Sequence, residues 1–335
     1  MRRMGRYSIL LEAPAVVTGC AAVVGQKEGE GPLGRCFDEV LKDSKAGAET
    51  WEQAESMFLN KAILLAAQKA AVKPEDLDLI FSGDLLNQCI GSTFGLREFN
   101  TPFVGLFGAC STMALSLALA SVAVASGAAN TVGAATSSHF CSAERQFRLP
   151  LEYGGVRPPT SQWTVTGSGA AIVASGGAGP KVTAVHFGRM VDLQIKDANN
   201  MGAAMAPSAC DTLKSWFDDT ATKPSDYDLI LTGDLGDVGR ALLKQLMQAE
   251  GFTLSDQLYN DCGSMIFDVR TQDVGVGGSG CGCSGSVLCG SILPQISAGT
   301  YKRVLFCATG ALMSTTSSQQ GESIPGICHL VELMA

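Results

Sequence analysis

The residue best suited to chemistry in this chain is Cys110, which follows the small-residue turn Gly108-Ala109 and precedes an apolar, uncharged stretch. A thiol at the first turn of a helix faces unpaired N–H groups and the positive end of the helix dipole, which favours the thiolate and lowers its pKa. The pattern indicates a nucleophilic thiolate, a non-covalent carboxylate site or a small buried cysteine. Ser111 and Thr112 would add backbone donors at the same helix end.

A second group of candidates follows an apolar segment that ends at Thr136. His139 is expected at the carboxyl end of that strand, where the ligand sites of α/β proteins collect. It could act as a base toward the thiol, donate to a ligand carboxylate, or cap backbone groups of a loop. Arg145, Arg148 and Arg157 follow. We expect one of them, with Arg145 as the candidate ligand contact, to reach the pocket, and the other two to be solvated or interface charges.

The third candidate feature is the glycine-rich run 274–285 in the second half of the chain. Successive backbone N–H groups in such a run can form an anion-binding nest. Ser279, Cys281 and Cys283 lie in this run and are candidate ligand contacts. Together with the helix start at Cys110, the run predicts two groups of donors for an anionic ligand.

An internal repeat indicates how these residues are positioned. Residues 74–85 (PEDLDLIFSGDL) and 224–235 (PSDYDLILTGDL) are identical at eight of twelve positions. The turn at residues 108–111 corresponds to residues 281–284 in the second copy, and an apolar helix and strand follow in each copy. Alternating strands and helices predict an α/β protein with mixed, mostly parallel central sheets and helices on their faces. We therefore expect two duplicated halves, 1–176 and 177–335.

Composition excludes several classes of function. The net charge is −8 without a basic cluster, which argues against nucleic acid as a partner and against direct adsorption to anionic lipid. Twelve cysteines form no CxxC pair, and the chain has only three histidines, so we expect no metal site. The uncharged segment Met113 to Ala125 is too short for a membrane span and predicts a helix buried on all sides.

The beginning of the sequence is similar to a lipoprotein signal. Basic residues precede Val17-Thr18-Gly19-Cys20, which resembles a cleavage box, but Glu12 and Pro14 interrupt the apolar stretch. We therefore expect no signal peptide and no transmembrane segment, and a soluble protein.

Two halves of this kind, with a cysteine heading a buried helix in the first, resemble the thiolase superfamily. The segments that carry this resemblance are GDLLNQ (83–88), FGACST (107–112), TGSGAA (166–171) and the Met201-Gly202 pair with Pro207 and Ala209. Within that superfamily the chain is similar to the stage V sporulation protein AD family of spore-forming bacteria. The closer match rests on GPLG (31–34), SGDLLNQ (82–88), FGACST (107–112), ATSSH (135–139), AERQFR (143–148), EYGG (152–155) and ILTGDL (230–235). The resemblance covers nearly the whole chain.

The resemblance implies a thiolase fold but not thiolase chemistry. The thiolase Gly-His-Pro turn aligns with residues 278–280, which places Ser279, or Cys281 in a shifted register, at the histidine position. The Asn-Glu-Ala-Phe segment aligns with 233–236, where Asp234 is present and the asparagine is missing. Claisen or thiolytic chemistry needs a proton-transfer base and an oxyanion site. We therefore expect no catalytic residues beyond the nucleophile-equivalent Cys110, no enzymatic activity and no cofactor.

The family resemblance also implies a ligand and partners. The ligand would be dipicolinic acid (pyridine-2,6-dicarboxylate), alone or as its calcium chelate, bound in the pocket that is the thiolase active site. The protein would take part in dipicolinic acid uptake into the developing spore, peripheral to the inner spore membrane, with other stage V sporulation membrane proteins. A homodimer is expected through the strand near 102–107. The alternatives are an acyltransferase or condensing enzyme, similar to ketoacyl synthase III or thiolase and using Cys110, and a scaffold with a vestigial pocket.

Overall fold

A computed structural model describes residues 1–147 and 157–335. The strands are β1 (Arg2–Met4), β2 (Ser8–Gly25), β3 (Glu39–Leu41), β4 (Leu79–Gly83), β5 (Phe103–Gly105), β6 (Thr131–Ser138), β7 (Trp163–Thr164), β8 (Gly167–Ala174), β9 (Lys181–Phe187), β10 (Leu229–Thr232), β11 (Tyr259–Asp261), β12 (Gly278–Ser279), β13 (Arg303–Ala311) and β14 (Gly326–Met334). The helices are α1 (Gln26–Gly29), α2 (Trp51–Lys69), α3 (Ile90–Leu96), α4 (Thr112–Ala125), α5 (Phe140–Phe147), α6 (Met201–Thr220), α7 (Gly236–Ala249), α8 (Cys262–Ile266), α9 (Cys281–Val287), α10 (Leu293–Ser297) and α11 (Thr315–Gln319).

The main sheet has an internal symmetry that reflects the sequence repeat. Its first half runs β2-β8-β6-β4-β5 and its second half runs β9-β14-β13-β10-β11, with β2 and β9 pairing at the centre. In each half the first two pairings are antiparallel and the last two are parallel. The expected mixed sheet built from two duplicated halves is confirmed. The expectation that it would be mostly parallel is wrong, because five of the nine pairings along this order of described strands are antiparallel. The exact boundary at 176/177 stays a prediction, and it falls between β8 and β9.

Side-chain alternation along the strands creates five layers. In β6, Ala134 packs toward a central layer and Ala135 packs toward the outer helix α2. In β10, Leu231 faces the central layer and Ile230 faces the outer helices α6 and α7. Because successive residues of a strand point to opposite faces, each half-sheet is covered on both sides. The layer order is therefore helix, sheet, helix, sheet, helix.

The central layer consists of α4, α9 and α10, which are buried because apolar and small residues surround their axes. Met113 and Leu117 of α4 pack with Val287 and Ile292 of the second half in one apolar cluster. The prediction of a buried helix over Met113 to Ala125 is confirmed by α4. In the described part of the chain, no helix combines the length and the hydropathy needed to cross a bilayer.

The ends of the parallel strands bring the two halves to one place. Leu85 follows β4, Asp234 follows β10, and Met313 follows β13, so all three lie at the carboxyl ends of their strands. Ligand sites in α/β sheets form at such ends because loops from neighbouring strands converge there. The turn that carries Cys110 lies at the same end and begins α4.

Candidate functional site

A strained turn fixes the position of Cys110. The turn Ala109–Ser111 forms one 3₁₀ turn before α4, and Ala109 has a left-handed φ of 49°. Gly310 of β13 lies against this turn, where a side chain would come within 2.3 Å of the Gly108 carbonyl oxygen. A non-glycine residue with positive φ persists only where the surroundings hold it. The second half of the protein therefore holds the Cys110 turn in place.

Cys110 lines a small apolar pocket at the junction of the two halves. The cavity has a volume of about 40 Å³, which is room for a few water molecules. Its walls are mainly apolar and aromatic, with three polar residues among them. The lining residues are Leu85, Phe107, Ala109, Cys110, Ala143, Glu144, Phe147, Thr164, Met201, Ser279, Ala311 and Met313.

A buried carboxyl group, Asp234, lies beside the thiol. Its Oδ2 accepts from the Gly280 amide at 2.8 Å and from the Ser279 hydroxyl at 3.4 Å, and its Oδ1 accepts from Thr309 Oγ1 at 3.3 Å. The Cys110 thiol acts as a fourth donor. Burial raises the pKa of Asp234 to about 7.

These surroundings shift the pKa of the Cys110 thiol in the direction opposite to the one expected from the sequence. Burial, followed by the charge of Asp234, raises the pKa of Cys110 above its usual range. The prediction that the helix start would lower its pKa is therefore wrong. Desolvation and a neighbouring carboxylate both disfavour the thiolate, and here they outweigh the helix dipole.

Comparison with the repeat shows why Asp234 is available to the site. In the first half, the equivalent Asp84 accepts from backbone amides of its own loop, those of Leu86 at 2.9 Å and Ser92 at 2.7 Å. In the second half, Asp261 accepts from the amides of Leu235 and Gly236 instead, both at 2.9 Å. The carboxyl group of Asp234 is therefore left to face Cys110. The repeated Gly-Asp-Leu was the signal in the sequence, but only the fold shows that the two aspartates differ.

The hydroxyl groups of Ser111 and Thr112 bond within their own turn. Ser111 Oγ donates to the Gly108 carbonyl oxygen at 2.6 Å, and Thr112 Oγ1 donates to that of Ala109 at 2.7 Å. Both side chains are buried and neither lines the pocket. Their position in the structure is that of helix-start residues, and their ligand contact stays a prediction.

His139 is placed away from Cys110. Its Nε2 is 2.8 Å from the Ser44 carbonyl oxygen, and its Nδ1 accepts from the Cys141 amide at 3.1 Å, so both ring nitrogens bond to backbone. The ring packs on Trp51 and Phe58 and lines a different depression. The geometry corresponds to the alternative of a histidine that caps backbone groups, and it supports no role as a base toward the thiol.

The three candidate arginines differ in position. Arg145 is exposed and pairs with Glu52, away from the pocket. Arg157 lies 3.5 Å from Glu144, a pocket residue, and stacks over Trp163 at 4.6 Å from the ring centroid. Arg148 lies outside the described residues. The structure therefore places Arg157, rather than Arg145, beside the pocket wall.

In the glycine-rich run 274–285, two backbone amides are used within the protein, and a nest for a ligand anion stays a prediction. The Gly280 amide donates to Asp234, and the Gly282 amide donates to Ser138 Oγ at 3.1 Å. Ser279 lines the pocket, while Cys281 packs against Cys110 in the same apolar cluster. Cys283 instead lies in the central core and does not line the pocket.

A second buried acid supports one wall of the pocket. Glu55 of α2 accepts from Ser142 Oγ of α5 at 2.7 Å and from Ser137 Oγ of β6 at 3.2 Å. Burial and the nearby Asp84 raise the pKa of Glu55. These bonds attach α5, which contributes Glu144 to the pocket, to the body of the first half.

Comparison with known proteins identifies the family. The family model for stage V sporulation protein AD matches residues 5–334. The chain is also 42% identical over 329 residues to stage V sporulation protein AD of Bacillus subtilis strain 168, covering 98% of this chain and 97% of that protein. The chain belongs to the stage V sporulation protein AD family. As a member of it, this protein is a sporulation protein.

Solved structures show the fold of this family member. 3-Oxoacyl-[acyl-carrier-protein] synthase III of Aquifex aeolicus VF5 matches with a TM-score of 0.57 and 13% identity, covering 96% of this chain and all of that one. OleA of Xanthomonas campestris matches with a TM-score of 0.63 and 11% identity over 98% of both chains. The thiolase fold predicted from the sequence is confirmed.

The side chains around Cys110 differ from a Cys-His arrangement. All three histidines bond or pack elsewhere: His139 as above, His186 with Ser8 Oγ at 2.8 Å, and His329 against Phe187. The group beside the thiol is the Asp234 carboxyl. A neutral thiol next to a buried acid is suited to hydrogen bonding, because nucleophilic attack requires the thiolate.

Proposed function

We propose that this protein binds dipicolinic acid non-covalently in the Cys110 pocket and takes part in its uptake into the developing spore, without catalysing a reaction. The observation that supports this most is the state of Cys110, a thiol kept protonated at the base of an apolar pocket. Membership of the sporulation family supplies the biological setting.

The pocket walls are suited to a flat aromatic ring with carboxylates. Phe107, Phe147 and Met313 offer apolar and aromatic surface, and small-molecule sites commonly combine such walls with a few polar groups. Glu144 is buried, accepts from Thr164 Oγ1 at 2.7 Å, and lies beside Arg157. A ligand carboxylate would compete with Glu144 for the guanidinium of Arg157, which lies 3.5 Å from Glu144. Because the cavity is small in this conformation, binding requires movement of its walls, and Phe107 is already half exposed.

Calorimetry of the purified protein with dipicolinate and benzoate tests this proposal. We expect one dipicolinate per chain, and roughly tenfold to hundredfold weaker binding of benzoate, because one charge-assisted contact contributes on the order of 1.5–3 kcal/mol. Calcium in one arm of the experiment distinguishes the free acid from its chelate. Equal affinity for both ligands would remove the argument for a dicarboxylate site.

An acyltransferase or condensing enzyme using Cys110 is the second candidate. The observation in its favour is the fold, which this chain shares with 3-oxoacyl-[acyl-carrier-protein] synthase III. Against it stand the raised pKa of the thiol and the engagement of His139 elsewhere. Thioester turnover by the wild type well above that of Cys110→Ser would favour this second candidate over a binding protein.

We also propose a homodimer formed through β5. This strand is an edge of the sheet, and Val104 and Phe107 are 41% and 51% exposed beside it. Exposed apolar edge strands are sites of strand pairing between chains. Val104→Glu would place a charge in a desolvated seam, so it should convert a dimer to a monomer in sedimentation at micromolar concentration. Ser126→Glu, at the far end of α4, serves as a control. A wild type that sediments as a monomer would contradict the proposal.

The proposed location is peripheral to the inner spore membrane, in association with other stage V sporulation membrane proteins. Its support is the family and the lack, in the described residues, of a helix that could span a bilayer. Fractionation of sporulating cells tests it. Recovery of the protein away from membranes, whether or not the other stage V proteins are present, would count against it.

A further inference from the structure

The partners of Asp234 present a problem for an anionic ligand. They are a backbone amide, two hydroxyl groups and a thiol, and no cation contacts this carboxyl in residues 1–147 and 157–335. Its side chain is fully buried directly behind two pocket residues, Cys110 and Ser279. An ionised Asp234 and a bound carboxylate would place two negative charges close together in a dry site. Such a pair is strongly unfavourable unless a proton or a cation is added.

We propose that Asp234 makes the Cys110 pocket take up a carboxylate ligand together with one proton, which resides on Asp234. This inference rests on the proposed function. Asp234 is the residue whose protonation state decides whether the site accepts the ligand. The step balances without a further reactant: the solvent supplies the proton, and no covalent bond other than the O–H bond forms or breaks.

The geometry shows how protonation would change the pocket. With Asp234 ionised, Ser279 Oγ donates to its Oδ2 at 3.4 Å, and the Cys110 thiol also donates to this carboxylate. Both donors then point away from the pocket. With Asp234 protonated, the acid becomes a donor to the sulfur or to the hydroxyl oxygen. The hydrogen released from that group can then point into the pocket, which both residues line. Protonation therefore removes the negative charge of Asp234 and allows one donor, the Cys110 thiol or the Ser279 hydroxyl, to point toward the ligand.

The other titratable groups that face Asp234 are one carboxyl group and four thiols. They are those of Asp261 and of Cys110, Cys262, Cys281 and Cys283. Burial raises the pKa of all four thiols, so they remain neutral around pH 7. Burial also raises the pKa of Asp261, but its carboxyl group accepts from three backbone amides and from Thr232 Oγ1, which do not face the pocket. With its pKa raised to about 7 by burial, Asp234 would change its protonation in the range where the ligand stays ionised.

Calorimetry of dipicolinate binding between pH 6 and 8.5, in buffers of low and high ionisation enthalpy, tests the inference. The ligand carboxyl groups, with pKa values of roughly 4, stay ionised throughout this range. For the wild type we expect uptake of about one proton per ligand above pH 7, and a loss of affinity of about tenfold per pH unit. Asp234→Asn is neutral at every pH, so its binding should take up no proton and be independent of pH.

Asp237→Asn is the matched control, since Asp237 is an exposed carboxylate three residues away that bonds to Ser264. It should behave like the wild type.

A wild type that binds without proton uptake and with constant affinity overturns the inference but leaves the proposed function intact. A proton uptake that persists in Asp234→Asn assigns the proton to another group and also overturns it. If dipicolinate binds at no pH, the proposed function itself fails. Should Asp234→Asn not fold, the uptake measured on the wild type still decides.

Discussion

Cys110→Leu is expected to abolish dipicolinate binding, whereas Cys110→Ser should bind within a few-fold of the wild type. The reason is steric, because the cavity has only about 40 Å³ and Cys110 forms part of its wall. Leucine replaces the sulfur by carbon and adds two further carbon atoms, so it fills the space, and it also removes one of the four donors to Asp234. Serine keeps the approximate size and the donor. Calorimetry on the three proteins at pH 6.5 measures the contrast.

The pair of variants also separates a steric role of Cys110 from a covalent one. A covalent role predicts that serine is as damaging as leucine, because a hydroxyl group beside a raised-pKa acid is a poor nucleophile. Circular dichroism and thermal unfolding of both variants exclude loss of the fold as the cause. If Cys110→Leu binds dipicolinate as well as the wild type, the ligand binds elsewhere and the Cys110 pocket is not its site.

Asp261→Ala is expected to lower the free energy of unfolding by on the order of 3–5 kcal/mol, which is a large effect for a single substitution. The buried carboxylate accepts from the amides of Leu235, Gly236 and Ser264 and from Thr232 Oγ1, at distances of 2.7 to 3.2 Å. Alanine leaves these donors without an acceptor in a desolvated loop. Urea unfolding at pH 7 followed by fluorescence measures the change.

Asp237→Ala provides the comparison, because this exposed side chain accepts from a single group among the described residues, Ser264 Oγ. We expect its effect to remain below about 0.5 kcal/mol. Similar stabilities for the two alanine variants would show that Asp261 does not hold the loop after β10. The position of Asp234, which that loop carries, would then need another explanation.

Much of the fold could be predicted because the sequence repeats its own pattern. The strand before each Gly-Asp turn, the uncharged helix α4 and the apolar strands β6 and β13 follow from local periodicity, and the structure contains all of them. The order of strands required more than periodicity, since the pairing of β2 with β9 joins segments far apart in the chain.

The candidate site was predicted less completely, for physical reasons. Cys110 and Ser279 line one pocket. Both could be singled out from the sequence because helix starts and glycine-rich turns are recognisable there. The protonation state of the thiol was not predictable, because it depends on burial and on Asp234, which is more than a hundred residues away. His139 showed the same limitation, since only the fold reveals that the Ser44 carbonyl oxygen accepts from its ring.

The central position of α4 has a consequence for how the protein is made. A ribosome releases the first half of the chain well before β13, α9 and β14, which cover α4 in the finished molecule. During that interval a helix without a single charged residue has no cover on one side. Domains tend to fold in order of synthesis, and exposed apolar helices favour aggregation. The first half should therefore not persist as a folded unit, and the nascent chain should depend on chaperones until the second half encloses the helix.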